Sequence, residues 1–207
     1  MRINTGGPNL TAQQVRAIMN PGPAQAFLND LAESDEFKQA TGNSIRREGM
    51  RDHELVLRFL AFFITPPEDY QARGFNEFLN RSVRVLNKSA PLEREGYAHR
   101  FRRAMTAAAD IFGEHAFRNP TSTGQQAPIN KASFDAWAIG LDRCTDAELK
   151  KLVKRRERLI GAFIGRLGGD EEFEKALLKG SGHKNKVRIR HLVIQELIRE
   201  VLRDRTH

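Results

Sequence analysis

The 207 residues carry 34 Lys and Arg against 26 Asp and Glu, a formal net charge of +8, with 40% hydrophobic and 29% charged side chains. That balance is globular rather than disordered, and the length suits one domain, or two small ones, with a real core. The longest apolar run, Phe59 to Ile64, falls far short of the ~20 residues of a membrane-spanning helix. No apolar leader precedes Gly6-Gly7, and the one cysteine, Cys144, excludes a disulfide scaffold or thiolate zinc site and suits a reducing cytoplasm.

In chain order the pattern is helical almost throughout. Thr11-Ala12-Gln13-Gln14 reads as a capping box, with Leu10 and Val15 placed for a hydrophobic staple, and Pro21-Gly22-Pro23 stops that helix. Ala24 to Ala32 forms a second helix, and Ser34 caps a third around Phe37. Residues 52–65, opened by Asp52 and Glu54, are apolar on nearly every side and are expected at the centre of the core. Phe75, Phe78, Leu79, Val83 and Leu86 form an amphipathic stripe, as do Tyr97, Phe101, Met105, Ala108 and Phe112 up to Gly113. Residues 114–130, with Pro120, Gly124 and Pro128, are the longest loop and the first place to expect disorder.

Beyond the loop, Phe134, Trp137, Ala138 and Leu141 make a short helix. Thr145-Asp146-Ala147-Glu148 is a second capping box, opening a helix that carries Leu149 to Leu167 before Gly168-Gly169. Phe173, Ala176 and Leu177 give a further turn or two. Lys184 to Arg203 is read as helix, although Val187-Arg188-Ile189-Arg190 alternates like a strand. The expectation is an all-α, irregular bundle of about nine helices forming one domain over 1–207. Its N-terminal helices occupy 1–113 and its basic C-terminal helices 131–207. Residues 1–90 hold 11 basic and 10 acidic side chains, residues 91–207 hold 23 and 16, so the excess charge, +1 against +7, sits in the second half. Such asymmetry fits a polyanion-facing half or an ordinary solvated surface.

No residues stand in a catalytic pattern. The six histidines show no i,i+4 pair and no zinc-ligand spacing, and no Gly-x-Ser-x-Gly elbow or Walker loop is present. Three features suit anions instead. Arg2-Ile3-Asn4-Thr5-Gly6-Gly7 ahead of a helix start offers charge and approachable backbone N–H groups, or is only a turn. Arg46 and Arg51 lead into the apolar helix that carries Arg58, which pairs with Glu54 one turn away or holds a ligand. Lys150, Lys151, Lys154, Arg155 and Arg158, with Lys184, Lys186, Arg188 and Arg190, form a track for DNA phosphates or a solvated helix face.

Several of these segments together resemble one family. Arg2-Ile3-Asn4-Thr5-Gly6-Gly7 with Leu10 and Gln13-Gln14-Val15-Arg16 is similar to the middle of the first domain of GmrSD-type restriction proteins. The same holds for Arg51-Asp52-His53-Glu54-Leu55-Val56-Leu57-Arg58-Phe59-Leu60-Ala61-Phe62, for Phe78-Leu79-Asn80, for Ile129-Asn130-Lys131-Ala132-Ser133-Phe134 and for Arg188. The resemblance implies the helical half of an anti-phage restriction protein. The ParB-like nucleotide-handling half and the His-Asn-His-type nuclease domain found in relatives do not occur in this sequence. It implies a chain that is not catalytic alone, with a separately encoded ParB-like partner, a nucleoside triphosphate bound jointly with that partner, and DNA as a further ligand. Arg2, Asn4, Gly6 and Gly7 would then meet Arg46, Arg51 and Arg58 at the nucleotide. The alternative is a protein-interaction module or remnant without nucleic-acid binding.

Overall fold

The computed structural model describes residues 10–71, 74–121, 125–178 and 182–203, and among these it is all-α. Eleven helices follow in order: α1 (Ala12–Met19), α2 (Pro23–Ala32), α3 (Asp35–Thr41), α4 (Arg51–Ile64), α5 (Phe75–Lys88), α6 (Pro91–Phe112), α7 (Lys131–Asp142), α8 (Asp146–Lys154), α9 (Arg156–Gly169), α10 (Glu171–Leu178) and α11 (Lys184–Arg203). A single antiparallel bridge, Arg118 to Ile129, is the extent of extended pairing among the described residues.

Local chemistry accounts for most boundaries. At α1 the Thr11 hydroxyl accepts from the Gln14 N–H while the Gln14 amide accepts from the Thr11 N–H at 2.9 Å, and Thr145 and Glu148 repeat the device at α8. Leu10 and Val15, the expected staple, are both solvent-exposed. α2 has no cap of its own: Asn87, at the end of α5, accepts from the Ala24 N–H at 2.9 Å. Gly22, at φ 147°, leaves room for it, since a Cβ there would stand 2.5 Å from the Asn87 oxygen. α3 closes on Gly42 in the left-handed region.

The helix expected from Thr145 to Leu167 is interrupted, which is one reason the count exceeds nine. Arg155 leaves helical geometry at φ −110°, ψ 21° and separates α8 from α9. No Gly or Pro marks the place. The anchors are tertiary: Lys151 donates to the Leu202 carbonyl at 2.5 Å and Arg155 to the Val201 carbonyl at 2.7 Å, satisfying orphan acceptors in the last turn of α11.

The centre of the core also lies elsewhere than expected. α4 buries Leu55 through Phe62 without a gap, but α7 buries every residue from Ala132 to Asp142. α4, α6, α10 and α11 all pack against α7. Small residues permit this enclosure. At Gly140 a Cβ would come within 3.0 Å of both Ile194 and Ile198, so α11 crosses α7 where a side chain is missing. One hydrophobic cluster extends from Ala24 to Val201, with Phe62 ringed by Tyr70, Phe75, Phe78 and His191. α11 is helical from Lys184, so the strand-like alternation at 187–190 is overridden by packing of Val187, Arg190 and His191 against the core.

The connection from α6 to α7 is held rather than loose in its described parts. Arg118, buried, donates to the carbonyls of Glu114, Ala127 and Thr41 and to the Ser44 hydroxyl. One guanidinium thereby ties residues 114–118 to 127–130 and to the end of α3.

Candidate nucleic-acid interface

Arg58 has the partner that its position demands. Asp135 on α7, fully buried, accepts from Arg58 Nε at 2.8 Å and from its Nη2 at 2.5 Å, a bidentate pair between residues 77 apart. Arg190 on α11, 1% exposed, donates to the same carboxylate at 3.0 Å. Glu54 stands 3.6 Å from Arg58 and accepts from Lys131 at 2.7 Å. The Arg58 guanidinium also lies 4.2 Å from the Phe75 ring centroid. This triad joins α4, α7 and α11 through one carboxylate. Two expectations are thereby corrected: Arg58 and Arg190 are internal struts, too deeply buried to meet nucleotide or DNA. Asp135 carries the arrangement, and a lone Asp among apolar residues of a central helix was its only trace in the sequence.

A second buried polar group lies under α1. Arg16 donates to Gln13, to Asn80 at 3.0 Å and to Asn76 at 3.0 Å. Burial pushes its guanidinium below the ordinary range, with nearby Glu54 opposing and Arg58 reinforcing the shift. His191 beside Arg190 is held well below the usual histidine range by complete burial and then by the arginine charge, so it is neutral at pH 7.

Several of the accessible candidate cations line two grooves. In the first, Arg46 and Arg51 line a groove of about 410 Å³ together with Lys131 and the backbone around Ile129. Both arginines are exposed. The turn just before Arg51 is docked on α1: the Thr11 hydroxyl donates to the Gly49 carbonyl at 2.7 Å. Gly49, at φ 72°, is packed so closely that a Cβ would lie 2.6 Å from the Thr11 methyl. Arg2, Asn4, Gly6 and Gly7 lie outside the described residues. The point at which their segment joins α1 is nevertheless in contact with the turn that feeds Arg51.

The second surface is the elbow between α8 and α9. A groove of about 840 Å³ is lined by Lys151, Lys154, Arg155, Arg156 and Arg158, with Val153 and Glu157. Breaking the helix gathers basic side chains that an unbroken helix would have strung along its axis. Lys150, Lys154, Arg156 and Arg158 are exposed, whereas Lys151 and Arg155 are committed to the end of α11. Arg156 was missed in the sequence because it falls outside the i,i+4 ladder. Of the remaining candidates, Lys184 donates to Gln71 at 2.7 Å, Arg188 is exposed and Lys186 is half-buried. None of these three lines the elbow groove.

Among the described residues no group of three or more His, Cys, Asp or Glu is placed to hold a metal ion, and no helix is long and apolar enough to cross a membrane. Cys144 is buried, with its thiol against the Gly140 carbonyl at 3.5 Å, and burial pushes its pKa up to about 12. It has no nucleophile's environment. The chain matches no family model, no curated protein and no solved structure.

Proposed function

We propose that this chain is the helical, phosphate-binding half of a GmrSD-type restriction protein, acting on DNA or nucleotide with a ParB-like partner and not catalytic alone. The observation that supports it is the elbow, where an interruption of the helix turns a linear basic stripe into a predominantly basic concave surface, five Lys and Arg against Glu157. Such a surface neutralises backbone phosphates and reads no sequence. The Arg46 and Arg51 groove, beside the start of α1, is the nucleotide-facing surface, completed by the Arg2 to Gly7 segment and the partner half.

The test is duplex binding by fluorescence anisotropy across a salt series. Lys150, Lys154, Arg156 and Arg158 contacting three or four phosphates give a slope of log K against log salt of about −3 to −4. Lys154→Glu lowers affinity equally for all sequences and flattens the slope by about one unit or more. A flat salt response, or none to Lys154→Glu, overturns the DNA reading.

A second reading, a module that docks a partner protein and binds no nucleic acid, is favoured by α1. Val15, Ile18 and Met19 share one face at helical spacing, and Ile18 and Met19 are 67% and 75% exposed. If Ile18→Glu with Met19→Glu abolishes capture of a ParB-like protein while wild-type chain shows no DNA binding, this reading replaces the first.

A further inference from the structure

Apart from the basic grooves, a cavity among the described residues has aromatic walls. It has a volume of about 240 Å³ between α7, α9 and the residues that follow α6. Phe112 and Trp137 meet edge to face at 4.7 Å between centroids, and Trp137 and Phe163 at 5.2 Å. Phe117 supplies a further ring. The space is below the ~300 Å³ at which drug-sized pockets begin, so it fits a single ring system.

Two hydrogen-bond donors in the lining have no protein acceptor. Trp137 is 2% exposed, yet its indole N–H donates to no group among the described residues. Ser133 donates to Asn119 Oδ1 at 2.5 Å, which leaves the Asn119 Nδ2 without a partner among the described residues. Neither nitrogen is sealed from solvent, so a planar ring that carries acceptors on its edge can replace water at both. Hydrocarbon rings lack those acceptors. Heterocycles with ring nitrogens and carbonyl oxygens have them.

The lip supplies the second half of the ligand. Ile160 and Ile164 of α9 line the cavity, and Arg156, exposed, stands one turn before Ile160 on the same helix. Residues at i and i+4 lie about 5–6 Å apart at Cβ, the reach between a base and its own phosphate through a sugar. Arg156 lines the elbow groove and not the cavity itself, so the phosphate surface begins one helical turn beyond the lip.

We propose that this cavity binds an unstacked nucleobase, its edge accepting from Trp137 Nε1 and Asn119 Nδ2, with the attached phosphate on Arg156. The phosphate arm rests on the nucleic-acid reading above, and the base arm rests on the cavity alone. Bases taken out of a stack are held elsewhere in this way, between aromatic side chains with hydrogen bonds to the base edge.

Trp137 is the one tryptophan of the chain, so its indole N–H gives a single resonance in a ¹⁵N-correlated spectrum and reports on the cavity directly. The full chain is titrated with adenosine, guanosine, cytidine and thymidine, with their 5′-monophosphates, and with indole, a ring system with a donor and no acceptor. The expected result is a saturable shift of that resonance with at least one nucleoside and none with indole. The monophosphate binds about tenfold or more tighter at low salt, and Arg156→Gln removes that gain alone. Asn119→Asp keeps the Ser133 bond but replaces the donor with an acceptor, and it abolishes nucleoside binding. Ile164→Tyr, at a position 48% exposed and so outside the core, narrows the lip and does the same.

No shift with any nucleoside, or equal shifts with indole, overturns the base arm. A monophosphate gain that is absent or insensitive to Arg156→Gln overturns the phosphate arm. Nucleoside binding that persists while duplex binding fails identifies an error in the proposed function and leaves the pocket standing. Duplex binding without nucleoside binding does the reverse.

Discussion

Replacing Asp135 with Asn removes one negative charge from between two guanidiniums that are 6% and 1% exposed. Glu54 is 3.6 Å from Arg58 but already bonded to Lys131, and it belongs to the α4 end of the cluster rather than to Arg190. Breaking a buried ion pair by deleting one partner costs about 3–5 kcal/mol, because the surviving charge stays desolvated. Against a typical total of about 5–15 kcal/mol, that is about a fifth or more of the stability. With a urea dependence of about 2 kcal/mol per molar, the unfolding midpoint of Asp135→Asn falls by about 1.5–2.5 M, read by circular dichroism. Arg58→Met is expected to cost less, since Asp135 and Arg190 remain as a one-to-one pair and only the Phe75 and Glu54 contacts are lost besides. The triple change Arg58→Met, Asp135→Leu and Arg190→Met should recover most of the loss, as apolar replacements of buried ion clusters do. An Asp135→Asn midpoint within 0.5 M of wild type, or a costlier Arg58→Met, would refute the assignment of Asp135 as the shared strut.

The remaining expectations use the same unfolding measurement or a simple label. His191 is held neutral in the fold, so below its unfolded pKa of about 6.5 only the unfolded chain takes up the proton. Stability is therefore fully present above that pH and falls by about 2 kcal/mol between pH 7 and pH 5, a loss missing from His191→Phe. Cys144, with its pKa at about 12 and its side chain buried, should react with a disulfide reagent at pH 8 only as fast as the protein opens. Fast stoichiometric labelling of native protein would contradict its placement. Arg118→Met removes four donations that tie the α6–α7 connection to α3, and limited proteolysis should then cut first between residues 114 and 130.

What the sequence disclosed and what it withheld divide by range. Thr11, Ser34 and Thr145 announce helix starts because a cap and its orphan N–H groups lie within three residues, and the structure has all three. The full helical extent of Lys184 to Arg203 was legible from Leu192 onward by period alone. The break at Arg155 was not, because its cause is a pair of carbonyls nearly fifty residues downstream. Nor was the central place of α7: Ser133, Asp135, Gly140 and Asp142 make it read as half polar, yet each has a partner or a close neighbour outside α7. Asp142 accepts from Arg100 at 2.6 Å, for example. Arg58 shows the limit most clearly. Periodicity named a charge on an apolar cylinder, and elementary electrostatics required a partner, but the only partner within local reach was Glu54. The aromatic cavity was invisible for the same reason, since its rings come from α6, α7, α9 and the residues after α6.

The enclosure of α7 sets the order in which the molecule can be assembled. A growing chain delivers Arg58 first, Asp135 after it, and Arg190 last, at separations of 77 and 55 residues. Until α10 and α11 have left the ribosome, a helix with eleven consecutive core residues has α4 and α6 to rest on and nothing over its other side. The carboxylate holds one guanidinium at that stage and is electrically balanced. The C-terminal helix closes the structure by bringing a second positive charge to it. The enclosure of α7 therefore waits on the emergence of α11, and a chain interrupted anywhere between residues 143 and 190 exposes apolar surface for chaperones or proteases to find.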